Sequence, residues 1–153
     1  MVQKIRKETD TMDDHKVIST SFDSSHKLAI KTIRNTVFTK EQNVDPDIDF
    51  DGQDLHSIHA VVFVGKEAVA TGRILSDGHI GRVAVLKEHR GKQYGTLILS
   101  ELERVAVTNN YKRIYLGSQL HAVNFYSKLG YTIYGEQYEE AGIQHRLMEK
   151  HLA

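Results

Sequence analysis

The stretch whose pattern decides the fold runs from Gly81 to Glu103, GRVAVLKEHRGKQYGTLILSELE. Its opening is β-rich, and from Gly95 onward Ile98, Leu99, Leu102, Val105 and Ala106 repeat at helical spacing until Asn109 and Asn110. A strand therefore passes through the loop Arg90, Gly91, Lys92, Gln93, Tyr94 and Gly95 into an amphipathic helix. A helix start leaves backbone N–H groups unpaired and carries partial positive charge, and glycines let a bulky anion approach the chain closely. Arg90 and Lys92 add full charges, so the loop reads as an anion cradle; by spacing alone it reads equally well as a plain connection. Two familiar phosphate loops are excluded. A Walker A loop needs glycine where Leu86 stands and Ser or Thr where Gln93 stands, and the dinucleotide fingerprint needs its middle glycine at Gln93.

Upstream, KVISTSF (16–22) has the β-branched content of a strand, and Asp23, Ser24 and Ser25 offer caps for a helix with Ala29, Ile30, Ile33 and Val37 on one face, ending near Phe38. Residues 41–53, with Asp45, Pro46, Asp47, Asp49 and Asp51, read as an irregular loop. SIHAVVFVG (57–65), EAVATGRIL (67–75) and HIGRVAVL (79–86) then form a three-strand meander. Downstream, KRIYLG (112–117) is a strand reached by a crossover helix, which makes it parallel to its predecessor. Ala122, Phe125, Tyr126 and Leu129 mark a second helix closed at Gly130, and the strands YTIYG (131–135) and QHRLMEK (144–150) end the chain. The expected class is α/β (α+β): a single mixed, mostly antiparallel sheet of six to seven strands flanked by helices.

With 153 residues, the chain has room for one ordinary domain, expected over 15–153 behind a flexible polar arm at 1–14. It is 40% hydrophobic and 26% charged, an ordinary globular balance. Its 20 Lys and Arg match 20 Asp and Glu, which removes any global field for nucleic acid or anionic lipid. No cysteine is present, so disulfides, thiolate metal sites and a cysteine nucleophile are excluded. The charged opening and the lack of any long apolar run point to the cytoplasm and to no membrane partner.

VAVLKEHRGKQYGT (83–96), followed by AVNFYSKLGY (122–131), resembles the GNAT superfamily of N-acetyltransferases. The likeness spans roughly Lys16 to the C-terminus and takes in RNTVFTKEQNV (34–44) and EEAGIQHRLMEK (139–150). The family loop, Arg or Gln, two free residues, Gly, one free residue, then Gly or Ala, maps onto Arg90, Gln93 and Gly95. Gln93 replaces a glycine, and its side chain is accommodated there at negative φ.

The resemblance implies transfer of an acetyl group from acetyl-CoA, as co-substrate and without a metal, to a primary amine of a small molecule or peptide. It implies that Arg90, Gly91, Lys92, Gln93, Tyr94, Gly95 and Thr96 seat the cofactor and that backbone amides around Val83, Ala84 and Val85 face the oxyanion. Gln119 stands where relatives often hold the pantetheine arm with Asn; it serves equally as an N-cap. Tyr126 matches the position of an acid for the departing thiolate, and is otherwise a core aromatic. Glu41, Asp51, His121 and His145 are candidates for the base. His145, in AGIQH, is favoured because histidine titrates near 6.5; its other reading is a structural strand residue. The same fold without catalysis would be a CoA-binding sensor or an interaction domain, and an exposed sheet edge leaves room for a homodimer.

Two metal motifs fail. Asp47, Asp49, Asp51 and Gly52 copy half of a calcium loop, but Ile58 occupies the position of the closing glutamate. The carboxylates then either draw in a cationic amine or simply face water. His56 and His59 turn to opposite faces of a strand, so zinc is not expected there.

Overall fold

Residues 14–153 are described by the computed structural model, so the predicted arm lies, apart from Asp14, outside the described residues. The first half is an antiparallel meander of β1 (His15–Ser21), β2 (Ser57–Val64), β3 (Glu67–Leu75) and β4 (Ile80–Val85), in that order. The second half holds β5 (Arg113–Gln119), β6 (Thr132–Glu140) and β7 (Ile143–His151) in the order β5-β7-β6. Seven strands flanked by helices is the expected architecture, with one difference in the sheet. Among the described residues the two sheets pair at a parallel bridge between His79 and Tyr115 and part beyond it. The cause lies in β4, where the register with β3 shifts between Thr71 and Arg73 and Arg82 takes φ +54. A bulge of this kind bends its strand and ends pairing on the far side, which opens a wedge between β4 and β5.

Helix α1 (Lys27–Arg34) buries Ile30 and Ile33 against the meander. It does not stop near Phe38. The ladder widens to π spacing over Asn35–Glu41, closing with Gln42 N–H donating to the Val37 carbonyl at 3.2 Å. The 41–53 loop is also more ordered than its composition predicts, since the Asp45 side chain caps a one-turn helix, α2 (Pro46–Asp49), with proline in its first turn.

Helix α3 (Tyr94–Thr108) buries the predicted face, Ile98, Leu99, Leu102, Val105 and Ala106. One core cluster joins it to Ala60, Val62 and Ile74 of the meander and to Ile114, Leu116 and Met148 of the second half. Each such aliphatic side chain removed from water contributes roughly 1.5–3 kcal/mol, so this helix holds the two halves at a fixed opening. Gly72 of β3 lets it lie close, for a Cβ there would come 2.6 Å from Ile98. Helix α4 (Val123–Lys128) follows a single 3-10 turn and closes at Gly130, φ +98, as predicted. Strands β6 and β7 outrun the predicted segments because Ala141 and Gly142, at φ +56 and +76, supply a tight two-residue hairpin turn. Among the described residues no helix is long and apolar enough to cross a membrane.

Candidate active site

The wedge between β4 and β5 is a cavity of about 1070 Å³. One end is walled by the loop before α3, the other by the β6–β7 hairpin, and α1's π turns run along the mouth. Of the site residues read from the sequence, all line it except Lys92, which is exposed on the loop, and the candidate base Asp51, which lies outside it.

At the loop end a 3-10 turn (Lys87–His89) leads into Gly91 at φ +77 and Gln93 at φ +71. Gln93 is therefore left-handed, not at the negative φ expected. The chain reverses immediately before the helix, and Gln93 is exposed at the cavity's edge. No side chain caps α3, so the first amides of the helix keep their unpaired N–H groups. Gly95 is the second residue of the helix, where a Cβ would come 3.3 Å from the Phe125 ring. Bare amides, a dipole end and a glycine floor together fit a diphosphate.

Arg90 does not stand free. Its Nε donates to the Val85 carbonyl at 2.9 Å, and its two terminal nitrogens donate to Glu41 at 2.6 and 2.8 Å. The bond to Arg90 holds the Glu41 carboxyl below its ordinary range, so Glu41 is an ionised partner rather than a base. The next residue, Gln42, exchanges amide hydrogen bonds with Gln119 at 2.9 and 3.4 Å. Two consecutive residues of the π turns thus grip one side chain on each wall of the wedge.

Strand β4 ends the meander, so alternate amides along its free edge face the wedge instead of another strand. The Tyr126 ring is buried edge-on between Phe125 and Tyr131 at centroid distances of 5.0 and 5.8 Å. Its hydroxyl bonds no side chain among the described residues, and burial pushes the phenol up, so it remains protonated. His145 on β7 pairs across to Gln119 and to Tyr138, whose ring stacks on it at 5.5 Å. The Ile143 carbonyl lies 2.7 Å from His145 Nδ1 and fixes the hydrogen there, which leaves the lone pair on Nε2. His121 is exposed at the rim.

In the 45–54 segment Asp45 and Asp47 are exposed, whereas Asp49, Asp51 and Asp54 are tied to arginines. Arg34, fully buried, bonds Asp49 at 3.0 Å and Asp54 at 2.6 Å; Arg73 bonds Asp51 at 2.8 Å and Asp54 at 3.0 Å; Arg82 reaches Asp49 and Asp51, each at 3.2 Å. Burial raises the Asp51 carboxyl, but hydrogen bonds from Arg73 and the Gln53 amide outweigh it and hold the group far below the usual carboxylate range. Neither a calcium loop nor an amine trap is built from such neutralised groups. His59 belongs to the same cluster, its Nε2 3.1 Å from the Asp54 carbonyl, with burial keeping it neutral.

Four wall residues escaped the sequence reading. His79 stacks on Tyr115 at 4.7 Å, Tyr115 donates its hydroxyl to Asp77, and Tyr138 and Glu140 face them from the hairpin. They come from three separate segments and share no periodic signature.

A cavity between diverging strands beside the uncapped start of a helix suits a ligand that carries phosphate, and comparison with known proteins names the class. The model of the acetyltransferase (GNAT) domain family matches residues 26–152, and the chain belongs to that family. It is an acetyltransferase, and its family uses acyl-CoA as co-substrate. Among its relatives, an uncharacterized N-acetyltransferase of Bacillus subtilis, YjcF, is 38% identical over 122 residues, covering 77% of this chain and 87% of that one. Protein ElaA of Escherichia coli is 38% identical over 130 residues, covering 79% and 84%. The ElaA crystal structure superposes with a TM-score of 0.80 over 88% of this chain and 99% of its own, at 33% identity. An acyl-CoA N-acyltransferase from Pseudomonas aeruginosa gives 0.78 over the same shares, at 26% identity.

Proposed function

We propose that the protein is a cytoplasmic, acetyl-CoA-dependent N-acetyltransferase that acetylates a primary amine of a small molecule or peptide by direct attack on the thioester. The observation that carries this is the meeting of three features in one cavity: the unpaired amides at the start of α3, the free edge of β4, and a lining that includes both His145 and Tyr126.

Acetyl-CoA supplies the activated acyl group. The amides of residues 93–96, with Gly91 and Arg90, hold its diphosphate, and Gln119 steadies the arm that reaches into the wedge. The amides around Val83, Ala84 and Val85 face the carbonyl oxygen as negative charge develops on it. His145 Nε2 takes the proton that the ammonium form of the acceptor must lose. Tyr126, kept protonated by burial, donates a hydrogen bond to the departing sulfur; a thiol of pKa about 8.5 leaves well without full proton transfer, so this help is modest. The outer strands β1 and β6 are the edges along which a second copy would pair.

Calorimetry with acetyl-CoA, followed by an acceptor panel read by free thiol release, tests the proposal. Saturable binding and amine-dependent release support it. Folded protein that gives no heat at high micromolar acetyl-CoA overturns it.

A further inference from the structure

Resting on the function proposed above, the charges lining the acceptor end of the wedge point to the kind of amine it takes. The charged side chains of the cavity are Glu41, Asp49, Arg82, Arg90 and Glu140. Glu41 and Arg90 neutralise each other. Asp49 is bound by Arg34 and Arg82, and Arg82 also by Asp51 and by the Ile48 and Asp49 carbonyls. Among the described residues, Glu140 alone has no cationic partner, so the only charge the cavity offers uncompensated is negative.

Its surroundings suit a cation. Glu140 ends β6 at the hairpin turn, two residues from Tyr138, and its charge is felt by both the Tyr138 phenol and the His79 imidazole. Burial holds the His79 imidazole below its ordinary range against the opposing pull of Asp77 and Glu140, and the nearby Arg73 and Arg82 are already paired with Asp51, Asp54 and Asp49. Tyr115, pushed up to about 12 by burial and by its bond to Asp77, is also neutral, but His79 and the Arg113 guanidinium cover its ring, which leaves Tyr138 as the aromatic side chain beside Glu140. Aromatic faces beside a carboxylate attract ammonium groups in addition to the ion pair itself.

We propose that the acceptor carries a second cationic group besides the amine that reacts, and that Glu140, beside Tyr138, binds it. The reacting amine then lies toward His145, and the distal cation toward the hairpin tip. Acceptors with a distal carboxylate meet the same glutamate as repulsion.

The test compares 1,4-diaminobutane and 1,8-diaminooctane with 1-aminobutane and 4-aminobutanoic acid, on the full chain and on Glu140→Gln, with Glu139→Gln as a neighbouring control outside the cavity. Initial rates with acetyl-CoA are followed by thiol release, and binding of the same amines to CoA-saturated protein by calorimetry. At least one diamine is expected to show a KM about tenfold below that of the monoamine, as one charge-assisted contact provides. Glu140→Gln should erase that advantage while kcat stays within about threefold, and Glu139→Gln should keep it. Equal KM for diamines and monoamine, or an advantage that survives Glu140→Gln, overturns the cation site while leaving the acetyltransfer intact. If acetyl-CoA itself fails to bind, the function falls separately. Calorimetry of the diamines on the free protein then decides the site: Glu140-dependent binding sustains it, and no binding refutes it.

Discussion

Glu41 and Arg90 are joined by two parallel hydrogen bonds although 49 residues separate them, and the pair ties α1's π turns to the loop at the cavity's phosphate end. Bidentate carboxylate–guanidinium contacts are among the stronger polar contacts, and phosphate offers Arg90 the same fork. If Arg90 takes the cofactor's diphosphate as proposed, loading exchanges one anion for another on this side chain. Glu41→Gln removes the competitor, and the dissociation constant for acetyl-CoA should fall about three- to tenfold in a calorimetric titration. Arg90→Gln should raise it.

Gln93 carries a left-handed backbone at φ +71 with its side chain in water. That conformation costs a non-glycine residue roughly 1–2 kcal/mol, while glycine loses about 0.5–1 kcal/mol through the flexibility it adds to the unfolded chain. Gln93→Gly should therefore stabilise the protein by several tenths of a kcal/mol to about 1 kcal/mol, raising the melting temperature by about 1–4 °C in a thermal scan. A lowered melting temperature would show that the glutamine side chain makes a contact that outweighs the backbone cost.

The strand, connecting loop and helix of residues 81–108 were legible because each depends on local periodicity and on glycine placement. The long-range side-chain pairings were not. A polar loop has the same composition whether its carboxylates face water or arginines, so Asp49, Asp51 and Asp54 gave no sign that Arg34, Arg73 and Arg82 would bury against them. The parting of the sheet escaped for a related reason. It depends on the bulge at Arg82, which is neither a glycine nor an asparagine and so carries no mark of positive φ. Gln119 and Tyr126 could be placed in the wedge only because a family resemblance carried their positions.

The arginine–aspartate cluster predicts acid sensitivity. The carboxyls of Asp51 and Asp54 are held below their ordinary values, burial being outweighed by hydrogen bonds from Arg73 and Arg34. A carboxylate with a depressed folded-state pKa contributes stability that is fully present above its unfolded pKa, near 3.9, and is lost as pH falls below that toward the folded value. Circular dichroism should accordingly show an unfolding transition beginning below about pH 4. Asp54→Asn leaves Arg34 and Arg73 short of a buried counter-charge and should cost about 3–5 kcal/mol at neutral pH in a urea titration.

Tyr126 gives the sharpest separation of chemistry from binding. Its ring packs between Phe125 and Tyr131, so Tyr126→Phe preserves the packing and removes only a hydroxyl that no side chain among the described residues engages. If that hydroxyl meets the departing sulfur, the interaction strengthens as the thiolate forms and is weak before it. The variant should then lose about ten- to a hundredfold in kcat with acetyl-CoA affinity unchanged. Because the thiol leaves readily by itself, the loss should shrink toward unity when the acyl donor carries a more acidic thiol. A full-sized loss that persists with such a donor would place Tyr126 in positioning the acceptor instead.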